Sequence, residues 1–146
     1  MRAISLRSLL TAVLALAMLA LLAGCPATQP RRGDALDAAQ YTWSATIRWG
    51  DFEGAVNLLD PETVRARPPT ALELERYKQV QISSYRDLGA SRDVDGGTAM
   101  RDIEIGVINR HTQSERTVRY RETWRFDVAT RTWWVTSGLP DLWSGQ

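Results

Sequence analysis

The order of two hydrophobic periods predicts an α+β domain. Between Asp34 and Tyr77 large apolar residues recur every three to four positions, as on helices packed against a core; from Tyr77 to Ser137 the period is two, as in half-buried strands. The alternating segments are joined by turn-rich links too short for crossover helices, so neighbouring strands run antiparallel. Helices first and strands after place N-terminal helices on one face of a curved, about four-stranded antiparallel sheet, a half-open cone.

The first helix is expected from about Asp34, with Leu36, Ala39, Trp43 and Ile47 on one face. Trp49-Gly50 stops it, because glycine enters the left-handed C-cap conformation readily. Asp51 caps a second piece carrying Phe52, Ala55, Val56 and Leu59. Asp60-Pro61 repeats the device with proline at the first helical position, and Pro68-Pro69 ends that piece early. Thr70 and Glu73 have capping-box spacing before Leu72, Leu74 and Tyr77, which suits one more helical turn or the lead into a strand.

Val80 and Ile82 open the first strand, which runs on toward Leu88 before the turn Asp93-Val94-Asp95-Gly96-Gly97. The second, about Thr98 to Asn109, puts Ile103, Ile105 and Val107 on one face and Asp102, Glu104 and Gly106 on the other. The third, about Arg116 to Val128, aligns Val118, Tyr120, Glu122, Trp124, Phe126 and Val128, with Arg119, Arg121, Arg125 and Asp127 opposite. A turn centred on Thr112 and Gln113 would pair Val107 with Val118, Ile105 with Tyr120, and Glu104 with Arg121. The fourth strand, about Arg131 to Ser137, turns Trp133 and Val135 inward and Trp134 outward; Gly138 and Pro140 end it.

Ahead of this domain, Arg2 and Arg7 precede an uncharged apolar run, Leu9 to Ala23, interrupted only by Thr11, the pattern of a secretory signal. As a helix it would span roughly 22 Å, short of the roughly 30 Å hydrocarbon core. The run ends in Leu22-Ala23-Gly24-Cys25, which resembles the lipobox of bacterial lipoproteins. The resemblance implies cleavage after Gly24, a diacylglyceryl group on the Cys25 thiol and acylation of the new amine, making membrane lipid the partner at Cys25. Residues 1–24 are then a signal, 25–33 a lipidated tether rich in proline and arginine, and 34–146 the folded domain. Pro26 stands where inner-membrane retention would call for aspartate, so the implied location is the outer membrane, facing the periplasm.

The chain from Cys25 onward carries 16 basic and 17 acidic side chains, which leaves no basic field to attract nucleic acid. A single cysteine excludes internal disulfides and cysteine-ligated metal clusters. No glycine-rich phosphate loop, nucleophile elbow or metalloprotease motif is present, so no cofactor and no metal is expected. The single histidine, His111, falls in the turn Asn109 to Glu115, where solvation explains it better than catalysis.

The segment Trp49-Gly50-Asp51-Phe52-Glu53-Gly54-Ala55-Val56 with Leu58-Leu59, the strands after it and the closing Thr132-Trp133-Trp134-Val135-Thr136-Ser137 together resemble the nuclear transport factor two-like superfamily, a cystatin-like α+β cone. The resemblance spans about Asp34 to Pro140. It implies that an enzyme of this kind would place a carboxylate base inside the cone. Glu122 is the candidate base, with Tyr120 and Trp124 on the same face as further pocket candidates, because desolvation among aromatic rings would make the carboxylate a stronger base. The competing reading is a structural glutamate held by an arginine such as Arg48 or by indole donors. On the opposite face, Arg119, Arg121 and Arg125, with Trp134 and the tail residue Trp143, are candidates for an interface. Neutralisation of that arginine row by Asp102, Glu104 and Asp127, and folding of Trp143 back over the cone, are the alternatives. The function expected is a non-enzymatic, lipid-anchored envelope protein that binds a protein partner or self-associates as a homodimer through its sheet. The alternative is a small-ligand-binding or isomerase/dehydratase-like cone.

Overall fold

A computed structural model of the chain describes residues 31–143, so Gly24 and Cys25 lie outside the described residues. Four helices, α1 (Arg32–Arg48), α2 (Phe52–Val56), α3 (Pro61–Ala66) and α4 (Ala71–Tyr77), precede four strands, β1 (Val80–Asp93), β2 (Thr98–Asn109), β3 (Glu115–Asp127) and β4 (Thr132–Val135). The strands form one antiparallel sheet in the order β1-β2-β3-β4. The α+β class, with helices set against a curved sheet, is thus the observed architecture.

The helical punctuation follows local chemistry. Gly50 takes a left-handed conformation at φ 72° and ends α1. The Asp51 side chain accepts from Gly54 N and the Asp60 side chain from Glu62 N, each satisfying an N–H that has no partner within its helix. Thr70 and Glu73 complete a reciprocal capping box, so that segment is a helix and not the lead into a strand. α1 begins at Arg32, two residues before the expected domain boundary.

The core lies between α1 and the inner sheet face. Leu36, Trp43 and Ile47 of α1 bury against Ile103, Ile105, Val107, Val118, Trp124 and Val135. Trp43 meets Trp124 edge-on at 6.4 Å, and Phe52 stacks on Tyr77 at 4.0 Å. Leu59 bridges to Val135 in parallel, so the chain between α2 and α3 runs alongside β4.

Two strand expectations need correction, the β2–β3 register and the inward position of Val128, and the first strand runs past Leu88 to Asp93. The β2–β3 pairing is Ile105 with Val118, Ile103 with Tyr120, and Glu104 with Arg119, two residues from the expected register. A shift of two preserves every side chain's face, so the inner set survives. Val128 is 69% exposed, because β3 ends at Asp127 and the chain turns there. Leu88 is 48% exposed, because β1 carries irregularities between Ile82 and Ser84 and between Asp87 and Gly89. Each inserts one unpaired residue, Ser83 and then Leu88, and reverses the inward parity. Tyr85, set opposite Ile105, consequently turns inward where unbroken alternation from Ile82 would have turned Ser84. Gly106 makes the first bulge possible: a Cβ there would collide with the Ser83 and Ser84 hydroxyls and sit 3.2 Å from Ser84 N.

Candidate functional site

Glu122 projects from β3 under α1 and is 0% exposed. Directly across the ladder stands Arg101 of β2. Its Nε donates to Glu122 Oε1 at 2.9 Å and its Nη2 to Oε2 at 3.0 Å, a two-point ion pair that also fixes the planes of both groups. Trp124 Nε1 donates to Oε1 at 3.0 Å, and the Tyr85 hydroxyl donates to Oε2. Arg101 is itself held from above, by Ser44 Oγ at 3.1 Å and the Gln40 carbonyl at 3.5 Å on α1. Burial and the Glu122 charge push the Tyr85 hydroxyl far above its ordinary pKa, so Tyr85 stays a neutral donor.

This arrangement binds two helical turns of α1 to three strands. It does not present a free base: both carboxylate oxygens are occupied, and taking a proton from a substrate would require breaking the Arg101 pair in a desolvated site. The partner is Arg101 and not Arg48, which lies at the exposed end of α1 and donates at 3.4 Å to the Tyr85 carbonyl. Beside the ion pair, Gln40 Nε2 and Trp43 Nε1 are buried with no hydrogen-bond partner among the described residues.

Of the other inner-face candidates, Trp124 belongs to this network and Tyr120 does not. The Tyr120 hydroxyl turns to the C-terminal segment, donating to the Gly138 carbonyl at 2.7 Å and lying 2.7 Å from Ser137 Oγ. Burial raises its pKa, so it remains a neutral clamp on that segment. Tyr77 performs the same task with the Pro140 carbonyl at 2.9 Å; burial and the Asp141 charge push its pKa to about 12. Between these clamped residues and α3–α4 lies a cleft of about 380 Å³, lined by Arg67, Glu73, Arg76, Tyr77, Leu139 and Trp143 among others. Trp143 does fold back: its ring meets Tyr77 at 5.0 Å and carries the Arg76 guanidinium at 4.3 Å.

On the outer face two of the three arginines are paired, but of the expected acids only Asp102 forms an ion pair with the row among the described residues. Glu104 lies 3.7 Å from Arg86, and Asp127 accepts from Ala129 N and the Thr130 hydroxyl. Arg121 Nε contacts Asp102 Oδ1 at 2.7 Å, which holds that carboxyl below its usual range. Arg125 grips Asp60, and Arg119 has no ion pair among the described residues. Trp134 is half-buried on this face, opposite Arg125 in the register, with its Nε1 unpartnered among the described residues. His111 is exposed in the β2–β3 turn, away from Glu122. Among the described residues, no three His, Cys, Asp or Glu side chains are grouped to hold a metal ion.

The sequence reading missed Arg101, Tyr85 and Gln40, and it gave Asp60 its capping role without its Arg125 partner. Two of these carried a usable signal: Arg101 shares the parity of Ile103 and Ile105, and Gln40 falls in the Leu36–Trp43–Ile47 spacing. Tyr85 carried none, because its inward position depends on a bulge.

Neither protein-family models nor curated proteins match this sequence. The fold is similar to that of a SEC-C motif containing protein from Rhodopseudomonas palustris, determined in solution. The TM-score is 0.55 at 18% identity, over 75% of this chain and 88% of that one. At that identity the likeness concerns the fold alone.

Proposed function

We propose that the chain is a lipid-anchored envelope protein, attached through Cys25 and sorted to the outer membrane, whose cone-like domain works by binding or assembly and not by catalysis. The observation that carries the binding half of this reading is the state of Glu122. The carboxylate that an isomerase or dehydratase of the nuclear transport factor two-like kind would use is bound by Arg101, Tyr85 and Trp124, as a structural group is. The anchoring half rests on Leu22-Ala23-Gly24-Cys25 following a short apolar run. No helix among the described residues is long and apolar enough to cross a membrane.

Metabolic labelling with a lipid precursor tests the anchor: wild type should incorporate label and Cys25→Ser should not. Light scattering of the full chain in detergent, with Trp134→Ala alongside, tests assembly through the sheet. An unlabelled wild type defeats the first claim. A monomer that retains no envelope protein defeats the second. The geometry favours a small ligand at the cleft beside Arg76 and Trp143, which is open, over Glu122, which is closed.

A further inference from the structure

We infer that the outward face of α1 is a lipid-contacting surface that lays the domain against the membrane holding its anchor. This rests on the lipid-anchor reading and adds a second point of contact to it.

Trp49 and Tyr41 are 87% and 77% exposed, the largest exposures of any big apolar side chains among the described residues. At about 100° per residue, Ala38, Tyr41, Ala45 and Trp49 fall within roughly 80° of arc, directly opposite the buried Leu36, Trp43 and Ile47. No charged side chain occurs from Ala38 to Ile47. Charges flank this neutral patch. Arg31 and Arg48 are exposed at its two ends. Asp37 is paired to Arg92, leaving Asp34 as the acidic residue on the exposed side. Neutral small residues around an indole and a phenol, with Arg31 and the exposed Asp34 at one end and Arg48 at the other, suit the bilayer interface, where amphipathic rings and guanidinium groups meet headgroups.

The position of the patch selects lipid over a protein partner. Arg31 lies six chain steps after Cys25, a reach of at most about 20 Å, so a lipid on Cys25 keeps the start of α1 beside the bilayer. α1 is about 25 Å long, and lying flat it brings Trp49 to the same surface as its own N-terminus. Two aromatic rings bind a membrane weakly by themselves. Tethering makes their contact intramolecular, so even a weak face is occupied.

The test uses full-length protein purified with its lipid and reconstituted on phosphatidylethanolamine/phosphatidylglycerol vesicles containing bromine-labelled acyl chains, which quench tryptophan on contact. Trp49 is the tryptophan available to the bilayer, because Trp43, Trp124 and Trp133 are buried and Trp134 and Trp143 are half-buried. Wild type should be quenched, Trp49→Ala should lose at least half of that quenching, and Trp134→Ala should keep it. Equal quenching of wild type and Trp49→Ala overturns the inference. So does a Trp49 emission that shifts to the blue without quenching while scattering reports a dimer, since a second copy then covers the face. Lipid-bearing protein that floats with vesicles but is unquenched defeats the lipid-contacting face alone. Protein that carries no lipid and does not float defeats the anchor and the face together.

Discussion

Arg125 reaches past β4 to grip Asp60, with Nε 3.0 Å from Oδ2 and Nη2 3.0 Å from Oδ1. The same carboxylate caps α3 through Glu62 N at 3.0 Å. One buried aspartate therefore fastens the helical half of the chain to β3, and the Arg125 guanidinium holds its pKa below the ordinary carboxylate value.

Because that pKa is lowered on folding, Asp60 contributes stability above its unfolded value of about 4 and loses it as pH falls through the folded value. Asp60→Asn should be less stable than wild type at pH 7, by about 1–2 kcal/mol from the weakened ion pair and cap. The gap should narrow as pH falls below about 4 and vanish only once pH passes the lowered folded value, where wild type also loses the charge. Urea unfolding of both proteins across that range checks it, and a gap independent of pH would refute it.

Glu122 and Arg101 should behave as one unit. Removing either alone leaves a buried charge unpaired, so Glu122→Leu and Arg101→Met should each cost about 3–5 kcal/mol, while the double variant costs much less than their sum. Denaturant midpoints at constant slope give the coupling directly. Additive losses would mean that the pair is not the source of the penalty.

Three tyrosines set an alkaline limit. Tyr77, raised to about 12, and Tyr85 and Tyr120, also raised, favour the folded state while neutral, and their unfolded pKa is about 10. Their contribution is complete below about pH 10 and is lost as pH rises toward the folded values. Tyrosinate absorbance from these residues should therefore rise together with loss of near-ultraviolet circular dichroism. Early ionisation in an intact fold would contradict their burial.

Gly106→Val should destabilise by about 1–3 kcal/mol, the usual range for overpacking, because the new side chain meets the bulge at Ser84. Gly33→Ala, with open space around it in the first turn of α1, serves as control and should be neutral or slightly stabilising. If Gly106→Val unfolds at the wild-type midpoint, the bulge is more pliable than its contacts suggest.

The architecture was legible wherever a local rule determined it. Caps at Asp51, Asp60 and Thr70, the stop at Gly50 and the inward parity of Val118 to Phe126 all depend on near neighbours in sequence. What escaped depended on distant pairing. Period two identifies faces but tolerates any even shift, so the β2–β3 register slipped by two residues without disturbing the predicted inner set. The bulges at Ser83 and Leu88 exist only relative to β2, and Tyr85 was lost with them. Glu122 was correctly placed inside and an indole donor, Trp124, does hold it, but the arginine offered as an example was Arg48 on the adjoining helix when the same face of β2 already held Arg101.

Those two bulges act beyond the interior. β1 is a long outer strand, and a straight one of fourteen residues would offer its unpaired amides and carbonyls as a template on which further chains could stack. Ser83 and Leu88 interrupt that template twice, so another molecule's strand cannot follow β1 in register for long. The irregularity that turns a tyrosine under α1 also breaks the regular hydrogen-bonding edge on which another chain's strand would pair.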